Sequence, residues 1–183
     1  MDGAFLAELA DRIAIQDSIA RYARAVDRSD WDGIRAEYHS DASDDHGEYK
    51  GDLDGLIAYL QELLGPSING MHFLGNCLIE FIGEGVALVE TYFISQRLRP
   101  PTTEDQGWAS GDAICRLGWG RYIDRYELRD GVWKVAMRQV VMDAIFSTVA
   151  KGGGERKGRT AWGLRNQADP LFALRMQMTE GRR

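Results

Sequence analysis

Arg21-Tyr22-Ala23-Arg24-Ala25-Val26-Asp27-Arg28-Ser29-Asp30-Trp31 decides how this chain is read, together with Met71-His72-Phe73-Leu74-Gly75-Asn76 further along. Leading into the first stretch, Leu6, Leu9, Ile13, Ile15, Ile19, Tyr22 and Val26 recur at helical spacing over 5–28, with Arg and Asp between them. The helix therefore ends on a tyrosine and a carboxylate. In the second stretch one histidine stands alone in an apolar run of strand character. A strand folding back across that helix end would bring an imidazole to the carboxylate.

Outward from this point, Asp30 is placed to cap a short helix from Trp31 to Tyr38, and Ser40 to Gly47 reads as a turn region. Asp52 caps a third helix carrying Leu56, Ile57, Leu60 and Leu64, which Gly65-Pro66 stops. The pattern then changes to strands: 68–82 and 86–98 joined at Gly83-Glu84-Gly85, then 113–128 and 132–146 joined at Asp130-Gly131. Residues 99–110 form a polar loop holding Trp108, and 169–176 have the makings of a last helical turn or two. Three helices followed by long antiparallel strands define an α+β domain, with helices across the open side of a curved sheet and a cone-shaped pocket between them.

At 183 residues the chain is read as one domain over 1–146 and a tail over 147–183. The formal charge of −6 argues against nucleic acid as a partner, which needs clustered Lys and Arg. That charge is uneven: eight Lys/Arg and three Asp/Glu give the tail +5 and leave the body −11, so the tail is expected to dock on its own body or on a neighbouring subunit. No apolar run approaches the roughly 20 residues of a membrane span. Cys77 and Cys115 sit in apolar runs as reduced thiols, and no basic-then-apolar leader opens the chain, so a cytoplasmic location is expected.

Each candidate group has two readings. Asp27 lies where the helix dipole disfavours a carboxylate by up to about 1 kcal/mol; either it is solvated or pairs with Arg24 or Arg28, or it is held there for chemistry. Tyr22 is a core tyrosine or a proton donor. His72 is a hydrogen-bonded core residue or a base, and strict alternation puts Leu74, Asn76 and Leu78 on its face. Alternation also puts Arg138 on the outward face of Lys134, unless a bulge near 135–137 turns it inward. His39, His46 and His72 with Asp44 and Asp45 lack metal-ligand spacing, and neither a phosphate-cradling glycine loop nor a serine nucleophile elbow is present, so neither metal nor cofactor is expected.

Residues 8–146 resemble the SnoaL-like family of the nuclear transport factor two-like superfamily. The resemblance rests on Ile15 to Asp32, Tyr38-His-Ser-Asp-Ala42, Asp45-His-Gly47, His72-Phe-Leu-Gly-Asn76 and Gly131-Val-Trp-Lys-Val135. It implies a cystatin-like α+β barrel and the chemistry of scytalone dehydratase, a dehydrochlorinase, bile acid 7α-dehydratase and formaldehyde-releasing lyases. On that pattern Asp27 and His72 form a proton-abstracting dyad, Tyr22 and Arg138 serve the oxygen where charge develops, and no cofactor takes part. The implied substrate is small, hydrophobic and aromatic in character, with His46, Tyr49, Asn76, Tyr92 and Trp108 as pocket candidates. The second pocket histidine of scytalone dehydratase has no counterpart in these motifs. A homodimer or homotrimer through the outer sheet face is implied as well. An isomerase or cyclase using the same base, and a non-catalytic binding subunit, are the alternatives.

Overall fold

The computed structural model describes residues 3–156, 158 and 161–180. Helix α1 spans Gly3–Arg28, α2 Trp31–Ala36 and α3 Leu53–Leu64. The caps are those the sequence predicts: Asp30 accepts from the Gly33 amide at 3.0 Å and Asp52 from the Gly55 amide at 2.9 Å. α1 buries Ile15, Ile19, Tyr22 and Val26, whereas Phe5, Leu6, Leu9 and Ile13 at its start remain exposed. A fourth helix, α4, occupies Pro170–Glu180, longer than the turn or two expected.

Six strands make one sheet: β1 Tyr38–Asp45, β2 Lys50–Asp52, β3 Asn69–Gly83, β4 Val86–Arg99, β5 Ala113–Arg129 and β6 Val132–Ala150, in the order β2-β1-β6-β5-β4-β3. β3 to β6 form an antiparallel meander from two hairpins, as the turn signals indicate. Two expectations need correction. α2 ends at Ala36, and residues 38–45 are not a turn but a strand that pairs parallel to β6; Tyr38, Ala42 and Asp44 turn inward there, and interior partners satisfy the polar groups that read as turn chemistry. The sheet is curved and open, with β2 and β3 as edges, as expected.

Bulges bend the sheet and set which residues face inward. Tyr126 pairs with Val135 but Arg125 with Met137, so Ala136 is an extra residue in β6. Trp133 and Val135 are buried before it and Arg138 is buried after it, the reversal of face that an inward Arg138 requires. A second bulge skips Asp143 opposite Trp119 and Gly120. Gly120 is required there, because a Cβ would lie 2.1 Å from the Val141 carbonyl oxygen. In β3, Leu74 pairs with Phe93 but Cys77 with Thr91, so Gly75 and Asn76 together oppose Tyr92.

Candidate active site

α1 ends in a Schellman-type cap: the Asp30 amide reaches the Ala25 carbonyl at 2.9 Å and the Ser29 amide that of Val26 at 3.3 Å, with Ser29 at φ 53°. This cap fixes Asp27 in the last turn, beneath β3. One Asp27 oxygen lies 2.7 Å from His72 Nδ1, and the other accepts the His72 backbone N–H at 2.9 Å. Both side chains are largely buried, at 11% and 15% exposure. An acceptor-only carboxylate against Nδ1 requires a proton on that nitrogen, so in the neutral ring Nε2 is the acceptor.

A second histidine is held the same way. His46, on the turn between β1 and β2, has its Nδ1 2.7 Å from Asp44 Oδ1, and the other Asp44 oxygen accepts from the Tyr38 hydroxyl at 2.8 Å. Asp44 belongs to a buried charged row. It is the cross-strand partner of Arg138, which in turn pairs with Asp124 on β5. Arg138 donates to Asp124 through Nε at 2.7 Å and Nη2 at 2.6 Å, and neither side chain is exposed. Its guanidinium carbon lies 4.1 Å from the Tyr22 ring centre and 4.2 Å from that of Tyr122, and Nη1 is buried without a hydrogen-bond partner. Burial pulls the Arg138 guanidinium down, but Asp124, Tyr38 and Tyr22 outweigh it and hold it well above its ordinary value. Burial pushes Tyr22 up to about 12, with Arg138 pulling the other way, so at neutral pH it is a hydroxyl.

Above this layer lies a cavity of about 550 Å³, within the range of small-molecule sites. Asp27, His46 and His72 line it, with an apolar wall from Leu60, Leu63 and Leu64 of α3. Phe93 and Tyr122 stack at 4.3 Å on its floor.

The sequence-predicted residues divide accordingly. Asp27, His72 and His46 meet at the cavity. Tyr22 and Arg138 lie in the layer beneath and do not line it. Tyr49 stands beside the rim, stacked on the lining Tyr59 at 5.8 Å. Three pocket candidates are corrected. Asn76 is exposed on the outer face because the bulge at Gly75-Asn76 reverses the alternation after Leu74. Tyr92, 42% exposed opposite that bulge, meets Arg121 at 5.9 Å on the outside. Trp108, 45% exposed, stays on its loop and donates to the Asp105 carbonyl at 3.2 Å. His39 is bound to the Glu127 carbonyl at 2.9 Å, and among the described residues no cluster of three His, Cys, Asp or Glu is arranged to hold a metal. No helix among them is long and apolar enough to cross a membrane.

Sequence reasoning missed Asp44 and Asp124 as buried acids. Tyr122-Ile-Asp124-Arg-Tyr126 carried a signal: two inward aromatics at alternate positions with a carboxylate between them. It also missed Arg165. This tail residue donates to the Val26 and Asp27 carbonyls at 3.1 Å each and to Ser29 Oγ at 3.0 Å, capping α1 and lining the cavity.

A helix-covered, bent sheet enclosing a cavity lined by two carboxylate-held imidazoles defines an α+β cone protein. The chain belongs to the SnoaL-like domain family, whose model matches residues 7–139. No curated protein matches it in sequence. Among solved structures it is similar to a putative scytalone dehydratase from Novosphingobium aromaticivorans DSM 12444, with TM-score 0.64, 17% identity, and coverage of 82% of this chain and 97% of that one. It is similar also to the hexachlorocyclohexane dehydrochlorinase LinA-type3 from Novosphingobium barchaimii LL02, with TM-score 0.66, 20% identity, and coverage of 85% and 99%. A third is a function-unknown protein from Mycobacterium tuberculosis, with TM-score 0.62, 19% identity, and coverage of 97% and 92%. At these identities the likeness is one of fold.

Proposed function

We propose that this protein is a lyase that removes a proton from a small substrate and expels a group from the adjacent carbon. The observation that carries the reading is the two-point hold of Asp27 on His72 at the cavity wall. Nε2 of His72 takes a proton from carbon. The C–H electron pair becomes the new double bond, and the bond to the leaving group breaks with its electrons. His46, oriented by Asp44 on the same cavity, is the complementary donor: entering the cycle doubly protonated, it gives its Nε2 proton to a departing oxygen and ends neutral, while the proton taken from carbon leaves His72 to solvent and His46 is recharged from solvent. Beneath it, Tyr38 donates to Asp44, and Arg138 lies between Asp44 and Asp124 and offsets part of their charge, so the carboxylate that orients His46 is itself held in place. The dehydratase and dehydrochlorinase names among the similar structures agree with an elimination.

The apolar wall and the Phe93–Tyr122 stack favour an aromatic or alicyclic body. A panel of such compounds bearing hydroxyl, hydroxymethyl or halide groups, incubated with the protein and followed by product mass, tests the reaction. Loss of water, formaldehyde or hydrogen halide, abolished by His72→Gln, is the expected result. A product of unchanged mass would replace the lyase by an isomerase or cyclase, and turnover surviving in His72→Gln would remove the dyad.

Assembly is inferred from the opposite face of the sheet. Phe73, Ile94 and Trp119 are consecutive cross-strand partners and are 64%, 46% and 41% exposed. A contiguous apolar row of this kind supports a homo-oligomer through that face. Sedimentation of the wild type against Trp119→Glu tests it, with a smaller species expected for the variant.

A further inference from the structure

Three guanidiniums line the cavity: Arg97 on β4, Arg116 on β5 and Arg165 from the tail. Arg97 and Arg116 are direct cross-strand partners, an arrangement of like charges that destabilises a sheet when nothing offsets it. Gly70 of β3 is the partner of Arg97 on its other side, and a Cβ there would lie 2.6 Å from Arg165 Nη1. Glycine at 70 thus lets the third guanidinium settle over the same row. Arg165 is held by the carbonyls that end α1, and Arg97 donates to the Leu63 carbonyl near the end of α3. The carbonyls at helix C-termini carry only partial negative charge, so they position a cation and offset its charge in part rather than fully.

Nearby carboxylates do not cancel it either. Asp27 is committed to His72, and Asp105 neutralises Arg99 at 2.7 and 2.9 Å. Glu48 is the remaining lining acid; it is exposed and forms no ion pair with any of the three. Among the described residues Arg116 has no ion pair, and the buried Arg97 Nε has no hydrogen-bond partner. Burial and then the fields of Arg116, Arg99 and Arg165 hold the Arg97 guanidinium below its ordinary value. A body of negative net charge thus keeps a positive cluster on one wall of an apolar hollow.

We infer that Arg97, Arg116 and Arg165 form an oxyanion subsite, so that the substrate carries a carboxylate or phosphate on its apolar body. The inference rests on the cavity being the substrate site. It goes beyond the lyase reading by giving that substrate a charge and an orientation. With its anion at the arginines, the substrate's apolar part lies along Phe93 toward His72, whose ring centre is 6.0 Å from that of Phe93.

Calorimetry with three ligands of one shape tests this: 2-naphthoate, 2-naphthyl phosphate and the neutral 2-naphthamide. The expected result is at least about tenfold tighter binding of one or both anions than of the amide at low salt, the tighter anion naming the headgroup. The preference falls to near unity in Arg116→Gln, with amide affinity unchanged and no loss of melting temperature, since among the described residues its side chain makes no ion pair or hydrogen bond. Equal affinities in the wild type would overturn the proposal. So would a preference that survives both Arg116→Gln and Arg97→Gln. The preference is expected to persist in His72→Gln, where turnover is removed but the guanidiniums are untouched. Its disappearance there would assign it to the imidazole and overturn the subsite, whereas loss of turnover alone bears only on the lyase.

Discussion

Asp27 grips His72 at two points, through imidazole Nδ1 at 2.7 Å and through the backbone N–H at 2.9 Å. The backbone bond decides what an amide would do in its place. In Asp27→Asn the side-chain oxygen is needed by the His72 N–H, so the NH2 faces Nδ1. That nitrogen must then accept, and the proton moves to Nε2, where the base should be. Turnover is expected to fall about 10²–10⁴-fold, the usual contribution of a positioned base, with little change in melting temperature. Rates on a substrate identified by product mass, together with ¹⁵N spectra of the imidazole tautomer, check this. Wild-type turnover in Asp27→Asn would show that the carboxylate is structural.

Arg138 is a cation between two buried carboxylates, Asp44 and Asp124, and its removal strands Asp124, whereas Asp44 keeps Tyr38 and His46. Arg138→Met is expected to destabilise the fold by about 3–5 kcal/mol, because an uncompensated buried charge is far worse than a missing pair. Arg138→Met with Asp124→Leu removes the pair together and should recover most of that loss. Denaturant titration of the two variants measures it, and equal stabilities would mean that the row is not electrostatically coupled.

The fold was legible where local chemistry and global packing agree. Asp30 and Asp52 cap their helices, and Gly83-Glu84-Gly85 and Asp130-Gly131 turn their hairpins, because these signals act within a few residues. The contact between Asp27 and His72 was legible because a carboxylate against a helix dipole and a histidine in an apolar strand are each out of place alone. The register of the bulges was not. A bulge is fixed by how three strands bend together, so one at Ala136 had to be hypothesised for Arg138 to face inward, while that at Gly75-Asn76 went unseen and sent Asn76 to the wrong face. His46 shows the same limit in reverse. Its partner lies two residues away, yet the pair reads as turn chemistry until β1 is known to line the interior.

Tyr22, Tyr38, Tyr122 and Tyr126, four of the chain's seven tyrosines, are buried around Arg138, and burial raises all of them. For a group whose folded value exceeds its unfolded value, the stabilisation is present below the unfolded value and is lost as pH rises through the folded one. The ordinary value is 10.0 and Tyr22 is raised to about 12, so the fold is expected to weaken across that interval. Tyrosinate absorbance should then rise in two stages, first for accessible rings and then in one cooperative step that coincides with loss of circular dichroism. Smooth ionisation of all seven with the fold intact would contradict the closed aromatic layer.

The tail is fastened to α1 by two arginine contacts of opposite direction. Arg165 reaches into the body to cap the helix, while Arg28 of the helix reaches out to Asp169 at 3.2 Å. Asp169 also accepts the amides of Leu164 at 2.8 Å and Leu171 at 3.1 Å. Burial pushes its carboxyl up, but those amides and Arg28 outweigh it, and the net shift is below the ordinary 3.8. A depressed value means that the stabilisation is present above 3.8 and is lost as pH falls through the folded value. Hydrogen-exchange protection of the Leu164 and Leu171 amides is therefore expected to hold down to the ordinary 3.8 and to collapse below it, before that of the sheet. In Asp169→Asn one of the two amides loses its acceptor and Arg28 its counter-charge. Protection should be lower at neutral pH, by about 1–3 kcal/mol for a charge-assisted bond, and its acid step should disappear. Since Arg165 lines the cavity on the same tail, the variant is also expected to bind 2-naphthoate more weakly. Full protection at neutral pH in Asp169→Asn would show that the tail is held by packing rather than by this carboxylate.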